Sequence, residues 1–574
     1  MPKLRSTKWF EGTDEVALLH RVALASAGIS YPRDGGAPII GIANSASELN
    51  PCNMVLASLA LEVKKGISSA GGVAVEFPNM SLGEDLMKPT AMLYRNLLSI
   101  EIEEMIRANP LDGIVILANC DKTVPGALMG AVSADIPTVL VTGGARAPAE
   151  FEGRRIGTGT DLWRLSEKRR VGDLDDGEWA ELERCLGCAA GACNTMGTAS
   201  TMAILSETLG LMVPYSSTIP SNDSKRYQAA MEAGKTVVRC VIEGISPSSI
   251  LSNGAFSNAI KVLHAVGGST NAVIHLAALA GRVGVNFRLG DVDLLGKDIP
   301  VLADVEPSGS GLIQDFDRAG GVPVLLRELS GHLDTSAMTV SGQSIGTIIA
   351  SAGKPGGVIR TLANPIKKGG AFSVVRGSLA PDGGIIKTSA ASKDLLYHVG
   401  HAVVFYGYED MMARIDDPDL VVDVNSVLVL SGCGPVGVPG MPEWGMIPIP
   451  AKLASQGISD MVRVTDARMS GTSFGTVVLH VAPEAAIGGP IALVRDGDLI
   501  ELNVAAGTLE LKISDQELFE RRSRWVKPLS PHIRGWPALY QQHVLQAPEG
   551  CDLDFLRAPT SEHRVFVEPV IGRS

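Results

Sequence analysis

The feature that most limits the fold is an apolar run, Gly113-Ile114-Val115-Ile116-Leu117-Ala118, bounded by Asp112 and Asn119. It is followed at once by Cys120-Asp121-Lys122-Thr123-Val124-Pro125-Gly126. An unbroken run of this kind reads as a strand buried on both faces, and such strands belong to parallel sheets. In open α/β sheets, ligands bind beyond the carboxyl ends of the strands. The run therefore delivers a thiol, a carboxylate and an amine, side by side, to an edge where ligands bind. Such a trio suits a soft metal, a hard metal and an anion together. The alternative is a chance cluster on a solvated loop.

The neighbouring segments repeat the pattern. Pro38–Ala43, Val73–Phe77 and Thr138–Thr142 read as strands, and Met54–Ser69 and Pro89–Arg107 as helices between them. Strand and helix in alternation predict a parallel sheet with right-handed crossovers. Separate strand ends then carry Cys52, Glu84 and Cys120-Asp121 to one edge. Farther on, Trp179–Arg184, Gly197–Leu209, residues 225–245 and a segment opened by Gly267–Asn271 and containing His275 read as helices.

Near residue 370 helical periodicity gives way to short β-rich runs: Phe372–Val375, Ala402–Phe405, Ser426–Leu430 and Ile491–Val494. Asp496-Gly497-Asp498 and Ala506-Gly507 are turn signals among them. The expectation is an α/β domain over residues 1–365 and a β-barrel-like domain over 366–574. The last 40 residues, with Trp536, Tyr540 and His543, read as a segment that packs on a neighbour.

Composition bounds the function. A chain of 574 residues exceeds one ordinary core, and 45% hydrophobic with 20% charged residues is globular. A net charge of −12 argues against a nucleic-acid binder that relies on phosphate attraction, though not against a small anionic substrate. Met1–Ser6 lacks the apolar core of a signal peptide. The longest uncharged stretch, Cys185–Ser206, is long enough to span a bilayer. It is rich in Gly, Ser, Thr and Asn, and reads as a packed active-site segment. Eight cysteines in so long a chain do not form a disulfide framework, so a cytoplasmic protein without membrane partners is expected.

Cys185-x-x-Cys188 followed by Cys193 suggests zinc or a four-iron cluster, but a second ligand pair is missing and helix-end packing is the better reading. Cys193 lies in a Gly-flanked turn ahead of a helix, where the helix dipole favours a thiolate. Cys52, Cys120 and Cys193 would offer three thiolates from three loops. A two-iron cluster ordinarily takes four protein ligands, so three leave an open position of the kind a Lewis acid needs. Glu84, Asp121 and Lys122 share these loops, and carboxylate oxygens suit Mg²⁺. Glu443, at the end of the stiff loop Gly434–Glu443, is either a surface charge or another oxygen ligand.

Ser470, in Thr465-Asp466-Ala467-Arg468-Met469-Ser470-Gly471-Thr472, has no neighbouring histidine to argue a triad. It is either an alkoxide base beside a metal or part of a common Ser-Gly turn. Gly157-Thr158-Gly159-Thr160 is half a phosphate loop without its lysine. His264, His275, His401 and His480 read as packing residues.

Two of these stretches carry a family resemblance. Cys120 to Gly130 matches Cys-Asp-Lys-x-x-Pro-Gly-x-x-x-Gly, and Thr465 to Thr472 matches Thr-Asp-Ala-Arg-x-Ser-Gly-Thr. Over almost its whole length the chain resembles the dihydroxy-acid and sugar-acid (aldonate) dehydratases, which are iron–sulfur dependent. Ala192–Ala199, Cys433-Gly434-Pro435, Gln541-Gln542-His543 and Asp552–Phe555 look like the aldonate branch. Val436 stands where close relatives carry Lys. The resemblance implies a [2Fe–2S] cluster on Cys52, Cys120 and Cys193, with a [4Fe–4S] cluster less favoured. It implies Mg²⁺ at Glu84, Asp121 and Glu443, with Lys122 open to carboxylation. Ser470 would take the C2 proton of a 2,3-dihydroxy acid and Thr472 would assist, in a homodimer or homotetramer. The rival readings are a dehydratase of branched-chain dihydroxy acids and a metal or redox sensor with zinc on Cys185-x-x-Cys188.

Overall fold

The computed structural model describes residues 4–31, 36–558 and 567–572; Met1–Lys3, on which the leader argument partly rests, lie outside them. Strands β1 (Ile39–Asn44), β2 (Val73–Pro78), β3 (Gly113–Leu117) and β4 (Thr138–Val141) form one parallel sheet in the order β2-β1-β3-β4. Every residue of β1, β3 and β4 is buried, which is why these runs carry no polar alternation. β2 closes one edge and is only half-buried, and its Glu76 pairs with Lys64.

Helices cover both faces. α1 (Leu56–Ser69), α2 (Arg95–Ala108) and α3 (Thr123–Ala134) lie between the strands in sequence. A hairpin of β5 (Ala149–Phe151) and β6 (Arg154–Ile156) follows, then α4 (Thr160–Arg170), α5 (Asp176–Leu186), α6 (Thr198–Thr208) and α7 (Lys225–Glu243). α1 packs with α7 on one face of the sheet, and α2 with α3 on the other. Glycines permit the close approach: a Cβ on Gly66 would stand 2.0 Å from the Met231 carbonyl oxygen, and one on Gly130 would stand 2.4 Å from that of Ser99. Among the described residues no helix is long and apolar enough to cross a membrane. The uncharged stretch Cys185–Ser206 is instead divided among the end of α5, a loop and most of α6, a helix buried on all sides.

The β5–β6 hairpin, α4 and α5 form a small cap with its own core of Phe151, Ile156, Leu165 and Leu182. Cys185 packs against that core and Cys188 is exposed, both as free thiols. Next come α8 (Asn253–Ala265) and α9 (Asn271–Arg282).

The C-terminal half is a mixed eight-stranded sheet of β7 (Ser373–Val375), β8 (Gly383–Ile386), β9 (Tyr397–Tyr406), β10 (Val427–Ser431), β11 (Arg463–Thr465), β12 (Val477–Ala482), β13 (Leu499–Asn503) and β14 (Thr508–Leu511). Its order is β14-β13-β9-β10-β11-β12-β8-β7, and Arg376 bridges to Thr508, so the sheet is nearly closed into a barrel. Alternate residues point inward: Val404, Val429, Val464, Val478 and Ile500 fill the interior, while Phe405 and Leu430 face an outer layer. The outward residues Val374, Ile385, Val477 and Leu479 join the core of the N-terminal half, which fixes the two halves to each other.

Two expectations need correction. Ile491–Val494 is not a strand but a 3₁₀ turn, Pro490–Leu493. Pro490 lacks the N–H a ladder needs, and Ile491 and Val494 are apolar because they plug the barrel interior. The C-terminal segment does not wait for a neighbour. α10 (Gly535–His543) and the residues after it return to the N-terminal half of the same chain, where Tyr540 is buried and the Trp536 indole donates to the Leu93 carbonyl at 2.8 Å.

Candidate active site

The loops after β1, β2, β3 and β4 meet at one sheet edge. Two asparagines tie them. Asn53 Oδ1 accepts from the backbone N–H groups of Asn119 and Cys120 at 3.1 and 3.0 Å. Asn119 Nδ2 donates to the carbonyls of Cys52 and Gly144 at 2.7 and 3.0 Å. Backbone bonds draw in the cysteine segment before α6: Gly191 N donates to Pro51 O at 3.2 Å, and Ala192 N to Gly144 O at 3.0 Å.

These ties bring Cys52, Cys120 and Cys193 into one patch. Cys52 lies close enough to bear on both Cys120 and Cys193, and the Cys120 thiol donates to Asp121 Oδ1 at 3.5 Å. Arg146, on the loop after β4, donates from Nε to the Gly191 carbonyl at 3.2 Å and lies near Cys193 and Cys52. The neighbouring Cys52 thiol, and then burial, hold the Cys120 thiol well above its ordinary range. Burial pushes the Cys193 thiol up to about 12. The helix-dipole argument for a thiolate at Cys193 therefore fails: α6 begins only at Thr198, beyond the dipole's short reach, and burial dominates. Three sulfurs together suit a soft iron centre.

Beside the sulfurs lies a group of carboxylates. Glu84, Asp121 and Glu443 each bring an oxygen within 4.8 Å of the others. The fully buried Lys122 ammonium pairs with Asp121, with Glu443 Oε1 at 2.9 Å, and lies 3.6 Å from Glu84 Oε2. Arg468 crosses from the barrel half, donating to Glu443 Oε1 at 2.8 Å and to Thr90 Oγ1 at 3.1 Å. Thr90 Oγ1 in turn donates to Glu84 Oε1 at 2.5 Å. Asn271, at the start of α9, donates to Glu443 Oε1 at 2.7 Å.

Burial acts against the Glu443 charge, but Lys122 and Arg468 outweigh it and hold the carboxyl down to about 2. Burial raises Glu84, and its Oε2 is shut from solvent without a hydrogen-bond partner. An orphaned carboxylate oxygen among three converging carboxylates fits a hard divalent ion. Beneath lie His275 and His480, each with an unpartnered Nε2. Burial, with neighbouring cations, holds His275 well below its ordinary value and His480 at about 3.

Ser470 reaches this place on a loop from the barrel half. The Met469 carbonyl accepts from Asn271 Nδ2 at 3.2 Å, and a Cβ on Gly471 would stand 2.6 Å from Ser269 Oγ. Ser470 Oγ lies 2.9 Å from Thr472 Oγ1. The cap grips Thr472: Thr160 Oγ1 donates to its carbonyl at 2.9 Å, and Trp163 Nε1 donates to its hydroxyl at 2.9 Å. Gly157–Thr160 is therefore a support for Thr472 at the start of α4. Val436 is held by its backbone, its N–H donating to Glu484 and its carbonyl accepting from Gln541.

The structure thus brings Glu84, Asp121, Lys122 and Glu443 together, sets Ser470 and Thr472 on the loop that Asn271 ties to Glu443, and places Cys120 next to Asp121 with Cys52 and Cys193 near it. Sequence reasoning missed Arg468, Asn271, Thr90, Arg146 and Trp163. Arg468 sits inside the Thr465–Thr472 motif and Asn271 closes Gly267–Asn271, so both stood in stretches already marked. Arg146 follows a strand end, a position shared with the ligands. Nothing in the sequence around Trp163 signals its contact.

Comparison with known proteins identifies the family. Residues 37–348 match the model of the dihydroxy-acid/6-phosphogluconate dehydratase N-terminal domain, and residues 357–551 that of the C-terminal domain. The chain is 48% identical to an L-arabonate dehydratase of Azospirillum brasilense, over 97% of each chain. It is 44% identical to a 6-deoxy-6-sulfo-D-gluconate dehydratase of Pseudomonas putida, again over 97% of each. It is 37% identical to a dihydroxy-acid dehydratase of Methanothermobacter thermautotrophicus, over 93% of this chain and 97% of that one. The chain belongs to the dihydroxy-acid/6-phosphogluconate dehydratase family.

Proposed function

We propose that the protein removes water from 2,3-dihydroxy carboxylic acids, foremost sugar acids of five or six carbons, to give 2-keto-3-deoxy acids. What supports this reading is the convergence of three carboxylates beside neighbouring thiols, with Asn271 bonding both Glu443 and the Met469 carbonyl just ahead of the Ser470–Thr472 pair. When bound, a [2Fe–2S] cluster on Cys52, Cys120 and Cys193 and Mg²⁺ on Glu84, Asp121 and Glu443, with a carboxylated Lys122, would supply Lewis acidity at the leaving hydroxyl and at the substrate carboxylate.

Ser470 Oγ takes the proton from C2. The released electron pair forms the C2–C3 double bond as the C3–O bond breaks. The departing oxygen takes up the proton that Ser470 received from C2 and leaves as water, which restores the serine base, and the enol tautomerises to the keto acid. A serine hydroxyl is ordinarily too weak a base for this step, so its alkoxide must be stabilised where it sits. Thr472 does so through its hydroxyl. Arg468, Asn271 and Lys122 hold Glu443 in place by hydrogen bonds. The two relatives named for sugar acids are nearer in sequence than the archaeal dihydroxy-acid dehydratase, which favours the sugar-acid substrate.

The test is anaerobic purification with iron, sulfide and magnesium counted, followed by steady-state rates on pentonates, hexonates and 2,3-dihydroxyisovalerate. The expected result is two irons and two sulfides per chain and a higher kcat/KM on an aldonate. A preference for dihydroxyisovalerate would move the protein to the branched-chain reading. Zinc without sulfide would end both.

A further inference from the structure

We propose that Trp163 is a positioning residue that sets the direction of the hydrogen bond between Thr472 and Ser470, keeping Thr472 as donor to the serine oxygen. This rests on the reading of Ser470 as the base. The indole N–H can only donate, so Thr472 Oγ1 must accept from it across the 2.9 Å contact. The Thr472 side chain is buried, and a buried hydroxyl proton needs an acceptor. Ser470 Oγ, at 2.9 Å, is the acceptor the structure offers among the described residues. The chain of bonds then runs one way, from the Trp163 N–H through the Thr472 hydroxyl to Ser470 Oγ. A hydroxyl that accepts one bond donates the next more strongly, because each bond polarises its neighbour. The Thr472 backbone N–H points at the same oxygen from 3.4 Å.

Packing keeps the geometry from drifting. A Cβ on Gly159, whose φ of +103° itself calls for glycine, would stand 2.5 Å from Thr472 Oγ1, and one on Gly197 would stand 2.9 Å from Thr472 Cγ2. Thr472 is therefore enclosed by glycine backbone on two sides. Trp163 stands on α4, whose Arg164 guanidinium lies over the Phe474 ring at 5.6 Å, so the cap is anchored to the serine loop on both sides of the indole. Trp163 touches neither thiol nor carboxylate of the site in any contact observed, and its influence on the chemistry passes through Thr472.

The test is a double-mutant cycle on the cofactor-loaded enzyme. Trp163→Phe is expected to lower kcat roughly tenfold with KM within about twofold, since the lost bond supports the base and not substrate binding. In a Thr472→Val background the same change is expected to cost nothing further, because the relay is already cut. A benzothienylalanine at position 163, with sulfur in place of the ring N–H, keeps the shape of the side chain and is expected to reproduce the loss. Equal losses with and without Thr472 would overturn the proposal, as would a benzothienylalanine protein with full kcat. Ser470→Ala, run alongside, separates the two layers. If it retains turnover, the assignment of the base has failed; if it is inactive while the cycle is additive, only the role of Trp163 has failed.

Discussion

Glu443 shows how much of the site is set by single charges. It is one carboxylate shared by Lys122, Arg468 and Asn271, all of which point at Oε1. Lys122 and Arg468 are fully buried, so each depends on its counter-charge. Glu443→Gln removes the charge and keeps the shape. It should lower the stability of the metal-free protein by about 3 kcal/mol, because two buried cations lose a partner. On the proposed reading of the three carboxylates, it should also weaken Mg²⁺ binding by a hundredfold or more, as calorimetric titration would measure. A metal-free variant as stable as its parent would mean that the cluster does not support the fold. The sequence made this residue visible but not its setting. Glu443 could be read as a surface charge or a ligand, and only the docking of the two halves, which brings Arg468 and Lys122 to it, removes the surface-charge reading. The same holds for Cys193, whose flanking glycines were legible and whose partly buried place beside Cys52 was not.

Elements were legible where one physical cause acts alone. β1, β3 and β4 are buried on both faces, so their sequences are unbroken apolar runs that few other structures would require. Ile491–Val494 has the same texture for a different reason, burial inside a barrel that no local pattern reveals. The packing histidines belong here too. His264 lies on α8, accepts from the Ala371 N–H at 3.1 Å, and sets its ring edge-on to Phe372, joining the N-terminal half to the first barrel strand. Burial pushes its pKa down to about 4 from 6.5. Below pH 6.5 the unfolded chain therefore binds a proton that the folded chain refuses, so acid favours unfolding. The loss of stability begins near pH 6.5, is complete near pH 4, and amounts to about 3 kcal/mol. The thermal midpoint of the metal-free protein should fall between pH 7 and pH 5, and less steeply in His264→Gln, which keeps an acceptor for Ala371. Parallel curves for the two proteins would remove His264 from the explanation.

At the scale of the whole molecule, the last segment acts as a strap across both halves. Gly550 and Cys551 offer their carbonyls to the Arg95 guanidinium at 2.7 and 2.9 Å, and Asp552 grips Arg282 of α9 with contacts of 2.6 and 3.0 Å. Arg282 and Asp552 are both fully buried. On the barrel side, Gln546 donates to Glu484 at 2.8 Å, and the Cys551 thiol lies 3.8 Å from the Met441 sulfur, whose residue supplies the carbonyl that Arg468 binds. The strap thus reaches the active site through Met441 and Arg468. Removing one partner of a buried ion pair costs about 3–5 kcal/mol, since the other is left unpaired out of water. Asp552→Asn should therefore loosen the strap, while Asp552→Leu combined with Arg282→Met should recover most of the lost stability. The connector before α10 is exposed, with Val526, Leu529 and Ile533 more than 80% open to solvent, so a protease site can be placed there without disturbing packing. After cleavage, the parent protein should carry its C-terminal fragment through gel filtration and keep its dehydratase activity. Cleaved Asp552→Asn should shed the fragment and lose activity together. Retention of full activity after the fragment has left would show that the Arg468–Glu443 arrangement stands without the strap.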